Sequence, residues 1–209
     1  MDQSLELKKI ADAISNCKKC DLWHSRDKGV PGEGPIDAEI MFIGEGPGFH
    51  ENMQGRPFVG AAGDLLIELL SAIGMTREQV FITNVVKCRP PGNRDPLPEE
   101  LEACNPYLEK QLQIINPKVI VTLGRYSMAR FIPQAKISEI HGQPVNVKGM
   151  LIVPFFHPAA ALHRPSLRPA VEEDFAKLPD LIRNAQQAPE FQPTDKIEDN
   201  NQAEQLSLF

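Results

Sequence analysis

No stretch of this 209-residue chain approaches the roughly 18 consecutive apolar residues that a membrane-spanning helix requires, so no membrane partner is expected. No secretory leader is legible, which points to a reducing, cytoplasmic compartment. No internal repeat is visible, and a chain that is 42% hydrophobic and 24% charged has enough apolar material for one good core. Excess positive charge is missing as well. The net charge of -6 argues at first against nucleic acid, yet residues 184–209 alone carry -4 and leave only -2 on residues 1–183. Basic clusters such as Lys87, Arg89 and Arg94, or His163, Arg164 and Arg168, are then expected to form a local positive face.

Cysteine is scarce but patterned. The only four are Cys17 and Cys20, two residues apart, and the distant Cys88 and Cys104. A close pair plus two remote thiols is ligand spacing for a metal or an iron–sulfur cluster, because thiolates converging on one centre can come from separate loops. Two structural disulfides, or four unrelated buried thiols, are the alternatives.

The remaining pattern is βα alternation. Residues 5–14 read as an amphipathic helix that delivers Cys17 and Cys20. Apolar runs at 38–44, 80–86, 118–123 and 150–155 read as four buried strands. Helices are expected at about 62–73, at 98–115 with Pro98 in its first turn, briefly after Gly124, and at about 170–183. Thr76 and Gln79 have capping-box spacing. The expectation is an α/β fold, a three-layer α/β/α sandwich around a central, mainly parallel four-stranded sheet.

In such sheets ligands bind beyond the carboxyl ends of the strands. Two unusual loops fall there, GEGPG at 44–48 and HPAAAL at 157–162. The first fits neither dinucleotide nor phosphate-loop spacing; as a rigid turn it would aim Glu45, and further on Glu51, into a crevice. In the second, proline fixes the turn and His157 would point at whatever lies above the sheet.

GEGPG, GRPFVGAAGDLL (55–66), TNVVKCRPPGNR (83–94) and FHPAAAL (156–162), with the cysteines in this order, closely resemble the iron–sulfur uracil-DNA glycosylases, family 4 of the uracil-DNA glycosylase superfamily. The resemblance covers about residues 4–183. It implies a DNA-repair enzyme that flips uracil from DNA and hydrolyses its N-glycosidic bond, with a structural [4Fe-4S] cluster on Cys17, Cys20, Cys88 and Cys104. It places Phe58 as the aromatic floor under the flipped base and Asn84 as the base reader. His157 is then the donor to uracil O2, and Glu45 and Glu51 handle water and the sugar cation, with Gly46, Pro47 and Gly48 beside the substrate. Leu162, His163 and Arg164 resemble the DNA-intercalation loop, with Leu162 as an apolar wedge and Arg164 or Arg168 meeting phosphate. A monomer is expected.

Two other readings compete. One is a protein that captures uracil-DNA without turnover; the branch that looks like this has GEQPG and an inserted basic loop ending in histidine. Here Gly46 replaces that glutamine and residues 124–142 lack the basic run, although His141 precedes Gly142. The other is an iron–sulfur nucleotide-binding or redox protein. From about residue 186 the composition turns polar, acidic and proline-punctuated, which reads as a disordered tail. Its end, Gln205-Leu206-Ser207-Leu208-Phe209, is similar to the QL(S/D)LF motif that docks bacterial DNA-processing proteins on the replicative sliding clamp. That motif implies a bacterial, nucleoid-associated protein; the extent of the resemblance and the change in composition divide the chain into a glycosylase-like domain at 1–183 and a tail at 184–209.

Overall fold

The computed structural model describes residues 2–184 and 188–190. Along the chain run α1 (Gln3–Ser15), β1 (Ile40–Gly44), α2 (Phe49–Gln54), α3 (Ala61–Ala72), β2 (Phe81–Asn84), α4 (Pro98–Ile115), β3 (Val119–Leu123), α5 (Arg125–Ala129), α6 (Ile137–Ile140), β4 (Val145–Val147), β5 (Met150–Phe155), α7 (Pro158–His163) and α8 (Arg168–Arg183).

The strands are continuous apolar runs because both faces of the sheet are covered. Successive side chains alternate between the faces. Ile40, Phe42, Ile82, Val121, Val153 and Phe155 enter one core with Leu66 and Leu70 of α3 and Phe175 of α8. Met41, Ile43, Phe81, Ile120 and Ile152 enter the other with Leu108 of α4 and Met128 of α5. This is the three-layer arrangement expected.

The sheet has five strands, not four, in the order β2-β1-β3-β5-β4. Four are parallel; β4 pairs antiparallel with β5, Val147 opposite Met150. The connection is Lys148-Gly149, both at positive φ (53° and 82°), the backbone signature of a tight two-residue hairpin turn. The extra strand is only three residues long and half-buried, so it has no apolar run to announce it. A second correction concerns HPAAAL, which is the helix α7 rather than a loop. Pro158 takes the first helical position, and the His157 side chain caps the end by accepting the Ala159 N–H. The Thr76–Gln79 spacing does form a bond, Thr76 N–H to Gln79 Oε1 at 2.8 Å, but it opens a single 3-10 turn before β2.

Chain order reverses across β1: β2 lies on one side, β3 on the other. That reversal creates a crevice at the carboxyl ends of the strands. Gly44 ends β1 directly beside Asn84, and Leu123 ends β3 beside Phe155. The loops 44–48, 84–97, 124 and 156–157 therefore leave the sheet at one edge.

Candidate active site and thiol centre

Two glycines bring the first pair of side chains together. A methyl on Gly44 would collide with Asn84 Oδ1 and sit 2.7 Å from the Phe58 ring, so both groups lie against the bare Cα. A methyl on Gly63 would strike the Phe58 carbonyl. Phe58 is buried and adopts φ +50°, a left-handed backbone unusual for a bulky residue. Arg77 holds it there, its guanidinium donating to the Phe58 carbonyl at 2.8 Å and to the Pro57 carbonyl. Arg77 is in turn gripped by Glu33 at 2.7 Å. The Phe58 ring stacks with His157, centroids 5.5 Å apart.

Asn84, the last residue of β2, is buried, and among the described residues its Oδ1 has no hydrogen-bond partner. An unpaired buried acceptor costs about 1–3 kcal/mol, which a ligand N–H would recover. His157 Nδ1 accepts the Ala159 N–H at 3.1 Å, so in the neutral ring the proton sits on Nε2. Burial lowers its pKa to about 4 against the opposing charge of Glu51, so at neutral pH it is an uncharged N–H donor.

Glu45 is pushed the other way, up to about 8, first by burial, then by the charge of Asp95, with Arg125 opposing. Its carboxyl is largely protonated at pH 7. Glu51, on α2, accepts the N–H groups of Val59 and Gly60 with its Oε1, both at 2.9 Å, and so ties α2 to the start of α3. Of the remaining loop residues, Gly46 packs against Val86, Pro47 is buried, and Gly48 caps α2.

The four cysteines, drawn from the end of α1, the loop after β2 and α4, line one cavity with Trp23, Arg26, Lys87 and Tyr107. All four are free thiols. Every sulfur meets an N–H: Lys19 N–H to Cys17 at 3.5 Å, Arg26 to Cys88 at 3.1 Å, and the backbone N–H groups of Leu22 and Lys87 to Cys20 and Cys104. Burial pushes the Cys104 thiol up to about 11 and raises Cys20 and Cys88 too. Buried thiols of that kind become thiolates when a metal centre replaces the proton. Among the described residues, no group of three or more His, Cys, Asp or Glu side chains is arranged so that it could hold a metal ion.

The sequence model of the Uracil DNA glycosylase superfamily matches residues 31–179, from ahead of β1 to within α8. The chain belongs to that superfamily. Its type-4 branch supplies close relatives. The chain is 50% identical to the "Type-4 uracil-DNA glycosylase" of Sulfurisphaera tokodaii over 185 residues, 84% of each chain. It is 48% identical to that of Archaeoglobus fulgidus over 187 residues, 85% of this chain and 94% of the relative. With Thermotoga maritima the figures are 45% over 179 residues, 83% and 93%.

Against the type-4 resemblance, the structure brings Phe58, Asn84 and His157 together and gathers the four cysteines. It separates other expected groups. Lys87 is fully buried, not part of a positive face, and Arg94 is held by Glu100 at 2.6 and 2.9 Å. Arg168 pairs with Glu68 at 2.5 Å and Glu172 at 2.7 Å, so its charge is already matched. Leu162, His163 and Arg164 are exposed at the end of α7. His141 bonds through Nδ1 to buried Asp174 at 2.8 Å. Gln205, Leu206, Leu208 and Phe209 lie outside the described residues. Arg77, Lys87 and the Asp95–Arg125 pair are site-supporting residues that the sequence reading missed or misplaced. The one available signal was that Lys87 stands between Val86 and Cys88 in an otherwise buried stretch.

Proposed function

We propose that this protein is a DNA-repair glycosylase that extrudes uracil from DNA and hydrolyses its N-glycosidic bond, leaving an abasic site. The observation that carries the reading is the convergence of the Phe58 ring, the unpartnered Asn84 Oδ1 and the neutral His157 at the carboxyl edge of the sheet. The base must leave the duplex stack because its reacting bond is inaccessible there. Phe58 offers a face for stacking, a contact worth about 1–3 kcal/mol per base. Asn84 Oδ1 accepts the uracil N3–H while its Nδ2 donates to O4; cytosine presents the opposite polarity at both atoms and would leave buried groups unpaired.

As C1′–N1 breaks, the electron pair leaves with the base and negative charge gathers on O2, where the His157 Nε2–H donates. Water adds to C1′ and passes its proton to Glu45 in its ionised form. A carboxylate with a pKa near 8 is a stronger base than an ordinary one and suits this step.

Cys17, Cys20, Cys88 and Cys104 would hold a [4Fe-4S] cluster, whose chemical contribution is to cross-link α1, the loop after β2 and α4. The N–H donors on all four sulfurs support this assignment. Leu162 is the wedge candidate, with Arg164 beside it for phosphate. The QLSLF sequence supports docking on a bacterial sliding clamp.

The test is a uracil-containing oligonucleotide incubated with wild type, His157→Ala and Asn84→Ala. An alkali-labile abasic product from wild type, with losses of roughly 100- to 1000-fold for His157→Ala, is the expected result. A shifted band that survives denaturation would instead mean capture without turnover.

A further inference from the structure

Lys87 is one of the largest fully buried side chains in the protein. Its Nζ lies 2.7 Å from Thr83 Oγ1, 2.6 Å from the main-chain oxygen of Asn84 and 2.8 Å from Gln111 Oε1. All three act as acceptors. The Thr83 hydroxyl donates to the Pro31 carbonyl at 3.0 Å, and the Gln111 amide nitrogen donates to the same carbonyl at 2.6 Å, which turns Oε1 toward Lys87. Three acceptors match the three N–H bonds of one ammonium group.

The peptide between Asn84 and Val85 is thereby held on both sides. Its oxygen receives Lys87 Nζ, and its N–H donates to the Gly44 carbonyl at 3.0 Å. Pinning that plane sets ψ of Asn84, and backbone dihedrals govern which side-chain rotamers are open. The other end of Lys87 faces the thiols: its backbone N–H reaches the Cys104 sulfur, and Cys88 is the next residue.

We propose that Lys87 is a positioning residue for base recognition, whose side chain locks the Asn84–Val85 peptide, aims the Asn84 amide and ties that aim to the four-thiol centre. The inference rests on the reading of Asn84 as base reader. Lys87 touches no substrate; it acts through Asn84.

The experiment is a double-mutant cycle on the full chain, Lys87→Met against Asn84→Ala, read as single-turnover excision of uracil. Lys87→Met is expected to lose roughly 10- to 100-fold alone, but less than about threefold in the Asn84→Ala background, since residues acting through one another are non-additive. A second readout is binding to duplexes carrying either an uncleavable 2′-fluoro deoxyuridine or an abasic-site analogue, with iron content measured alongside. Lys87→Met should weaken the first and leave the second unchanged. If it does not fold, Gln111→Leu, which removes one anchor of Lys87, runs the same cycle with a smaller loss. Losses that multiply, or equal weakening of both duplexes, overturn the positioning role. Asn84→Ala at wild-type rate would instead remove the base-reading role on which it stands.

Discussion

The rings of Phe58 and His157 stack with their planes 25° apart, although one residue lies in the loop before α3 and the other caps α7. Two devices make that contact possible. Arg77 clamps Phe58 at positive φ, and Gly124, itself at φ +92°, brings bare backbone against His157, where a methyl would lie 3.3 Å from its Cβ.

The first consequence concerns Arg77. Arg77→Met removes two carbonyl contacts and frees the strained Phe58 backbone, and hydrogen bonds from a charged group contribute about 1.5–3 kcal/mol. Uracil excision should fall at least about tenfold, with a lowered Tm. Arg56→Ala, which breaks only the exposed partner of the same Glu33, should leave both unchanged. Equal effects of the two substitutions would show that Arg77 has no special hold on the site.

His157 should titrate near 4 rather than near its ordinary 6.5. The folded state then resists protonation that the unfolded chain accepts, so its contribution to stability is complete above about 6.5 and is lost as pH falls toward 4. The His157 ring signals followed by NMR should stay constant from pH 8 to 5.5. A midpoint near 6.5 would contradict the neutral-donor role.

Glu45 predicts the opposite side of the pH scale. If its carboxylate takes the proton from water, kcat/KM should rise through about 8 and then level, and Glu45→Gln should be slow, by about 100-fold or more, and flat. The same group is protonated in the fold above its ordinary 4.5, so its stability contribution is present at low pH and disappears as pH rises through about 8. The fall in Tm between about pH 4.5 and 8 should therefore shrink in Glu45→Gln.

Replacing Cys88 or Cys104 by serine removes a buried thiol from a cavity whose sulfurs are each matched to an N–H. Bound iron should fall, and thermal unfolding should begin earlier, because α1 and α4 lose their shared anchor. Wild-type protein purified without oxygen and containing no iron or sulfide would remove the cluster assignment.

Much of the architecture is visible in the residues because it follows from local rules. The helix Pro98–Ile115 and the strand Met150–Phe155 occupy the residues that their composition assigns, one opened by proline in its first turn, the other an unbroken apolar run. Where the local signal is weak, the reading fails. Val145–Val147 is too short to carry a period, and HPAAAL looks like a loop until its proline is seen as a helix start.

Charge is the larger gap. Lys87, Arg94 and Arg168 look alike in the chain, yet one is sealed in the core, one is neutralised by buried Glu100, and one is shared between two surface glutamates. Spacing singles out the four cysteines and the turn after the fourth strand singles out His157, whereas Phe58 and Asn84 are singled out only by resemblance to the family. Whether His157 is neutral, Glu45 protonated, or Asn84 held in register came only with three-dimensional packing. Desolvation and hydrogen-bond partnership depend on neighbours tens of residues away along the chain, and no local pattern encodes them.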